Sequence, residues 1–202
     1  MKVKDLGFQA YGETLEAMQN FTAHREPETE DELWLLEHHA VFSQGTNGKE
    51  EHLFALGDIP LVQSDRGGQV TYHGPGQLVA YTLFDLKRYR IGIRDMVSLL
   101  EDSVIDMVSA YGLSAESRSD APGVYVEGRK LASLGLRVKR GACYHGISIN
   151  VDMDLSPFLS INPCGYQGME MVNLADFGIP LTMEQVKQQF VVALQAQMSL
   201  NK

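Results

Sequence analysis

Apolar residues recur along this chain with two different spacings, and the changes of spacing divide it into strands and helices. Residues 3–9 read as a first strand. Leu15, Met18 and Phe21 or Thr22 then fall at helical spacing and predict a helix from about Gly12 to His24. Glu26-Pro27-Glu28 closes it, because proline disfavours helical geometry in the residue before it. Short strands are expected at 33–37 and 40–43, with a turn at 44–48, and another strand at 61–63. Met96, Val97, Leu100, Val104, Met107 and Val108 line one face of a helix over 93–111 that stops at Gly112. Strands return at 123–126, 131–138 and 144–151, separated by the turn residues Glu127-Gly128 and Lys139-Arg140-Gly141. Met183, Val186, Phe190 and Leu194 predict a closing helix.

Two stretches break the pattern. Residues 66–77 read Arg-Gly-Gly-Gln-Val-Thr-Tyr-His-Gly-Pro-Gly-Gln and precede the apolar run Leu78 to Phe84. The reading is a hairpin whose glycine pair leaves backbone N–H groups free to face a ligand. Residues 152–170 carry no period and contain Ser156-Pro157, Asn162-Pro163 and Cys164-Gly165. A loop of that length in a small protein is commonly functional. The expected fold is α/β of the α+β type, a single domain over 1–202 with a mostly antiparallel mixed sheet flanked by helices. Short turns between successive strands leave no room for parallel crossovers.

Composition narrows the function. With 202 residues there is enough chain for one well-filled core. A net charge of −9 argues against a general nucleic-acid binder. No apolar run is long enough to span a membrane, the N-terminal residues do not read as a secretory signal, and two cysteines make no disulfide framework, so a cytoplasmic protein is expected. Nine of the 17 basic residues lie in two stretches, 87–94 and 129–140. Lys87, Arg88, Arg90 and Arg94, and separately Arg129, Arg137, Lys139 and Arg140, are candidate docking faces for an acidic partner.

Cys143, beside Ala142 at a strand start, reads as a buried small hydrophobe. Cys164 is different: Pro163 and Gly165 flank it in the aperiodic loop, a context that suits a nucleophile. His145, His73 and Lys130 are its candidate activators, and distance along the chain does not choose among them. Lys130 follows Gly128-Arg129 at a hairpin tip, where a lysine is ordinarily solvated, and His145 sits on a strand, where a histidine is ordinarily core. His38, His39 and His52 lack a third ligand at metal spacing, so no metal site is expected. There is no phosphate-binding loop of the Gly-x-x-x-x-Gly-Lys-[Ser/Thr] type.

Taken together, Arg66–Gln77, Ala121-Pro-Gly-Val-Tyr-Val126, Lys130-Leu-Ala-Ser-Leu-Gly-Leu136, His145-Gly-Ile-Ser-Ile-Asn150, Leu155-Ser-Pro-Phe-Leu159 and Asn162-Pro-Cys-Gly165 resemble the lipoyl(octanoyl) transferases. The resemblance runs over about residues 30–175, in order. It implies the fold shared with lipoate and biotin protein ligases. It also implies transfer of an octanoyl group from octanoyl-acyl carrier protein to a lysine of lipoyl domains, those of 2-oxoacid dehydrogenase complexes and of glycine cleavage H protein. By the same resemblance Cys164 is the acyl-thioester nucleophile and Lys130 its activator. Substrate binding falls on Arg66, Gly67, Gly68, Gln69, Val70, Thr71, Tyr72 and His73, on Ser133, Leu134 and Gly135, and on Gly146, Ile147 and Ser148, with His145 in support.

The chemistry implied needs no cofactor, neither ATP nor metal. A thioester is already an activated acyl donor, and the donor brings its own phosphopantetheine. Backbone N–H groups near Cys164 or along 146–148 are expected to hold the oxyanion. Two rivals remain: an ATP-dependent lipoate or biotin ligase, which needs no cysteine in this loop, and an acyl-binding module without covalent chemistry.

Overall fold

The computed structural model describes residues 1–179 and 181–200; Pro180, Asn201 and Lys202 lie outside the described residues. Ten strands are described: β1 (Lys2–Gln9), β2 (Glu32–His38), β3 (Val41–Gln44), β4 (Leu61–Gln63), β5 (Val70–His73), β6 (Gln77–Asp85), β7 (Ala115–Ser117), β8 (Gly123–Val126), β9 (Arg129–Lys139) and β10 (Ala142–Asn150). The helices are α1 (Tyr11–Ala23), α2 (Leu86–Tyr89), α3 (Ile93–Ser109) and α4 (Met183–Leu200). Seven strands form the main sheet in the order β1-β2-β6-β10-β9-β8-β7. Within it only β1 and β2 run parallel, because α1 carries the chain back between them. The fold is therefore α+β, with a mixed and mostly antiparallel sheet.

Strict alternation sorts the central strands between two apolar layers. From β2 and β6, Leu33, Leu35, Leu78, Ala80 and Phe84 pack with Leu100, Val104, Phe190 and Leu194 of α3 and α4. Their neighbours Trp34, Leu36, Val79, Tyr81 and Leu83 pack with Met18 of α1. Burial on both faces makes the run Leu78 to Phe84 continuously apolar. Helix α3 starts where Asp95 accepts the Gly92 N–H at 2.7 Å. It ends at Ser109, and the chain turns back through Gly112 so that the Leu113 N–H reaches the Val108 carbonyl.

One expectation is overturned here. Residues 66–77 and the run after them do not form a hairpin. β5 pairs with β3, and β3 with β4, in a separate three-stranded sheet, while β6 joins the main one. The Gly74-Pro75-Gly76 turn moves the chain between sheets. Gly76 takes a φ of +84° and lies against the Asp152 backbone, where any Cβ would collide. Its carbonyl accepts the N–H groups of both Val151 and Asp152, which ties the turn to the end of β10.

The aperiodic loop is anchored in turn. Phe158 and Ile161 are buried with Phe42, Val70, Tyr72 and Met153 under the small sheet. Two such side chains contribute roughly 1.5–3 kcal/mol each, enough to hold a segment without regular structure. No helix among the described residues is long and apolar enough to cross a membrane.

Candidate active site

Cys164 sits in a single 3₁₀ turn, Pro163–Gly165, with a left-handed φ of 57°. The turn is closed by the Gly165 N–H to Asn162 and the Tyr166 N–H to Pro163, and Asn162 is tied to His52 through its own N–H at 3.0 Å. These bonds hold the cysteine half-buried at a fixed spot on a short loop. A non-glycine residue in this backbone region is a strained feature of the kind that clusters at reactive sites.

Lys130 approaches from the opposite side. It lies in the second position of β9, fully buried, and is not the solvated turn lysine that its local context suggests. Its backbone is clamped by a second partner: its N–H donates to Glu170 at 2.8 Å and its carbonyl accepts from Val172 at 3.1 Å. The side chain crosses the Tyr125 ring at 5.3 Å. Its Nζ then donates to the Pro122 carbonyl at 3.0 Å and to Cys164 Sγ at 3.3 Å. Gly123 makes room, since a Cβ there would collide with Lys130 Cε and the Ala132 carbonyl. The Gly123 N–H is held by the carboxylate of Glu101 at 2.7 Å. Burial raises the Glu101 carboxyl, opposed by that hydrogen bond. Sequence reading missed Glu101, although an acid among the apolar positions of α3 was the available signal.

The sulfur opens into a narrow, mostly apolar cleft of about 470 Å³. Arg66, Gly68, Gln69, Thr71, His73, Ser133, Leu134, Gly135, His145, Gly146, Ile147 and Ser148 all line it. Three expected residues do not. Val70 and Tyr72 alternate to the far side of β5 and join the cluster around Phe158, while Gly67 bridges to Leu136 through its N–H at 3.0 Å. Tyr11, Val79 and Tyr81 line it as well. Their spacing marks them as core, and nothing local distinguishes a core tyrosine from a cleft tyrosine.

Arg66 organises the glycine-rich segment. Its guanidinium donates to the Ser43 carbonyl at 2.6 Å, to the Gln69 carbonyl at 2.8 Å and to the Gly67 carbonyl at 3.0 Å. The segment is folded around an internal cation, and Arg66 is spent on its own backbone. In contrast, the N–H groups of Gly68 and Gln69 have no acceptor among the described residues. The Gln69 carboxamide packs on Gly165 beside the nucleophile, and its Oε1 is buried without a partner. Of the donors anticipated elsewhere, the Gly165 and Tyr166 N–H groups close the turn and β10 is paired on both sides by β6 and β9, while the Cys164 N–H, like those of Gly68 and Gln69, has no acceptor among the described residues.

A buried polar network walls the cleft on the α1 side. His38 bonds the Gln9 carbonyl at 2.9 Å and Tyr81 at 2.7 Å, and His73 bonds Ser43 at 3.1 Å and Gln77 at 2.7 Å. Burial pushes His38 down to about 4 and His73 well below its ordinary value, so both are neutral. His145 has a φ of +63°. Simple alternation would send it with Cys143 and Ile147 toward α3, but it reaches Asp65 at 2.8 Å on the cleft side. Burial raises the Asp65 carboxyl, yet bonds from His145 and Tyr144 outweigh this and hold it below the usual carboxylate range. An ionised Asp65 takes the Nε2–H, which leaves Nδ1 of His145 a buried acceptor without a partner. Cys143 faces the dry side, and burial pushes its thiol up to about 11.

The model of the lipoyl protein ligase A/B catalytic domain matches residues 10–195. Among curated relatives, the octanoyltransferase of Vibrio vulnificus (strain YJ016) is 58% identical over 192 residues, covering 95% of this chain and 88% of the relative. The octanoyltransferase of Pseudomonas entomophila (strain L48) is 56% identical over 185 residues, 92% of this chain and 86% of the relative. Among solved structures, a lipoate-protein ligase A bound with ATP superposes with a TM-score of 0.79 at 15% identity, over 98% of this chain and 86% of that one. The biotin protein ligase of Aquifex aeolicus gives 0.60 at 11% identity, over 99% and 70%. At such identities these structures speak for the fold alone.

Proposed function

The chain belongs to the lipoyl protein ligase A/B catalytic-domain family, and from that premise we propose that it moves an octanoyl group from octanoyl-acyl carrier protein to a lipoyl-domain lysine through a thioester on Cys164. Its relatives make it an acyltransferase. The observation that carries the mechanism is the 3.3 Å contact between Lys130 Nζ and Cys164 Sγ at the mouth of an apolar cleft.

In the first half-reaction Lys130 takes the thiol proton. The thiolate attacks the thioester carbonyl, a new S–C bond forms, and the bond to the carrier sulfur breaks. Lys130 returns its proton to that leaving thiolate. In the second half the acceptor amine attacks the acyl-enzyme, C–N forms as C–S breaks, and the amine proton passes through Lys130 to Cys164. Each tetrahedral intermediate carries an oxyanion. Its proposed donors are the free N–H groups of Gly68 and Gln69 and the Gln69 carboxamide. One such donor contributes about 3–4 kcal/mol in characterised acyl transfer. Because a thioester is more activated than the amide it becomes, neither ATP nor a metal enters the scheme.

The test mixes octanoyl-acyl carrier protein, an unmodified lipoyl domain and the enzyme without nucleotide. The proposal expects the domain to gain an octanoyl group. Modification that requires free octanoate and ATP would instead establish a ligase, and binding without modification an acyl-binding module.

A further inference from the structure

Cys164 belongs to two cavities. Behind it lies the cleft already described. In front lies an open groove of about 870 Å³, lined by Ile93 and Val97 of α3, Leu136 of β9 and Tyr166. Two partly exposed aromatic and aliphatic side chains, Tyr166 and Ile93, remain on its walls. The two cavities meet at the sulfur and share Gly68, Gln69, Leu134 and Gly135 as common walls.

The groove leads toward a surface that the linear sequence divides in two. The Leu86 N–H donates to the Gly141 carbonyl at 3.0 Å, and the Lys87 stem covers Gly141. Helix α2 thus sits on the β9–β10 turn, so Lys87 and Arg90 stand beside Lys139 and Arg140. Arg94 follows Ile93 on the groove wall. These five cations are exposed, and none takes part in an ion pair among the described residues. Three candidates leave the set. Arg137 alternates to the face of β9 opposite Leu136, where it stands beside its cross-strand neighbour Tyr144. Arg88 is paired with Asp31 at 2.8 Å, and Arg129, at the opposite end of β9, is paired with Glu127 and lies over the Phe177 ring.

We infer that Lys87, Arg90, Arg94, Lys139 and Arg140 form one landing surface for an acidic donor carrier protein, whose thioester-bearing arm lies along the groove to Cys164. The inference rests on the acyl-transfer reading above. Five unpaired cations on a chain of net charge −9 are a local feature that matches an acidic partner. The groove runs from beside that rim to the sulfur, which suits an acyl group carried on a long, thin arm.

The experiment compares two octanoyl donors, the acyl carrier protein and a short pantetheine thioester, with the parent chain, Arg94→Glu/Arg140→Glu and Lys2→Glu. Lys2 lies on the opposite edge strand and serves as the charge control. In the double variant KM for the carrier rises about tenfold at low salt and its dependence on salt flattens, the signature of lost steering. Loading from the short thioester stays within about twofold, and Lys2→Glu behaves as the parent. An unchanged KM and salt slope in the double variant, with loading from both donors intact, overturns the docking surface alone. Failure of the parent to load from either donor overturns the acyl-transfer reading and the surface together.

Discussion

The two cysteines of this chain occupy regions that differ in nearly every physical respect. Cys143 lies in a central strand, fully buried among apolar side chains, with its thiol 3.4 Å from the Thr82 carbonyl and pushed up to about 11 by burial. Cys164 lies on a strained turn, half-buried, with a buried lysine within hydrogen-bond reach and two cavities at its sulfur. Composition is the same at both positions. Reactivity comes from what the fold adds at one of them: a clamped lysine, a backbone held at positive φ, and space for a substrate.

The largest way to break this contrast is to remove the lysine's proton chemistry. Lys130→Ala should lower single-turnover transfer by about 10²–10⁴. Lys130→Arg keeps the charge but cannot give up a proton near neutrality, and should fall in the same range. Near-parental rates in the arginine variant, measured across pH 6–9, would show that the charge alone suffices.

Moving the lysine without replacing it is the next test. Gly123→Ala places a Cβ against Lys130 Cε at a φ of +148°, so Nζ must leave its contact with the sulfur. Acylation of Cys164 should slow by about 10- to 100-fold, a typical cost of misplaced catalytic groups. Gln69→Ala should slow both half-reactions by a similar or smaller factor, with KM little changed, if the carboxamide serves the oxyanion. A rise in KM at constant kcat would make Gln69 a ground-state contact instead.

The cleft wall predicts a pH effect on stability. His38 has an ordinary value of 6.5 and is held at about 4 by burial, so the unfolded chain binds its proton first as pH falls. Stability is retained above pH 6.5 and is lost between 6.5 and 4, by up to about 1.4 kcal/mol per pH unit from this one residue. His38→Gln keeps a donor for Gln9 and does not titrate. Melting temperatures at pH 7.5, 6 and 5 should fall less steeply in this variant than in the parent. The smallest effect is expected at Cys143→Ala, with activity unchanged and a loss of about 1 kcal/mol from the vacated space.

Much of this fold is legible along the chain because its strongest signals are local. The apolar run Leu33–Leu36 and the helical spacing from Met96 to Val108 each match an element within a few residues. What is not legible is settled by contacts distant in sequence. A Gly-Pro-Gly turn between two apolar runs looks like a hairpin, and only the Asp152 backbone lying against Gly76 decides that β5 and β6 part. Lys130 looks like a solvated turn residue because its burial depends on pairing with residues 170 and 172. The union of 87–94 with 139–140 has no trace in either segment alone. Motifs reveal Cys164 and the glycine-rich segment, while the free N–H groups within that segment appear only once Arg66 has folded it.

The account turns on where the acyl group rests between its two carriers. Intact-mass and peptide mass spectrometry after mixing the enzyme with octanoyl-acyl carrier protein, without acceptor, measures this directly. The parent and Cys143→Ala should each gain about 126 Da, mapped to the peptide containing Cys164, and the gain should disappear when lipoyl domain is added. Cys164→Ala should fold and gain nothing. An adduct that persists in Cys164→Ala, or one that maps to Cys143 or to Lys130 itself, would contradict the central claim.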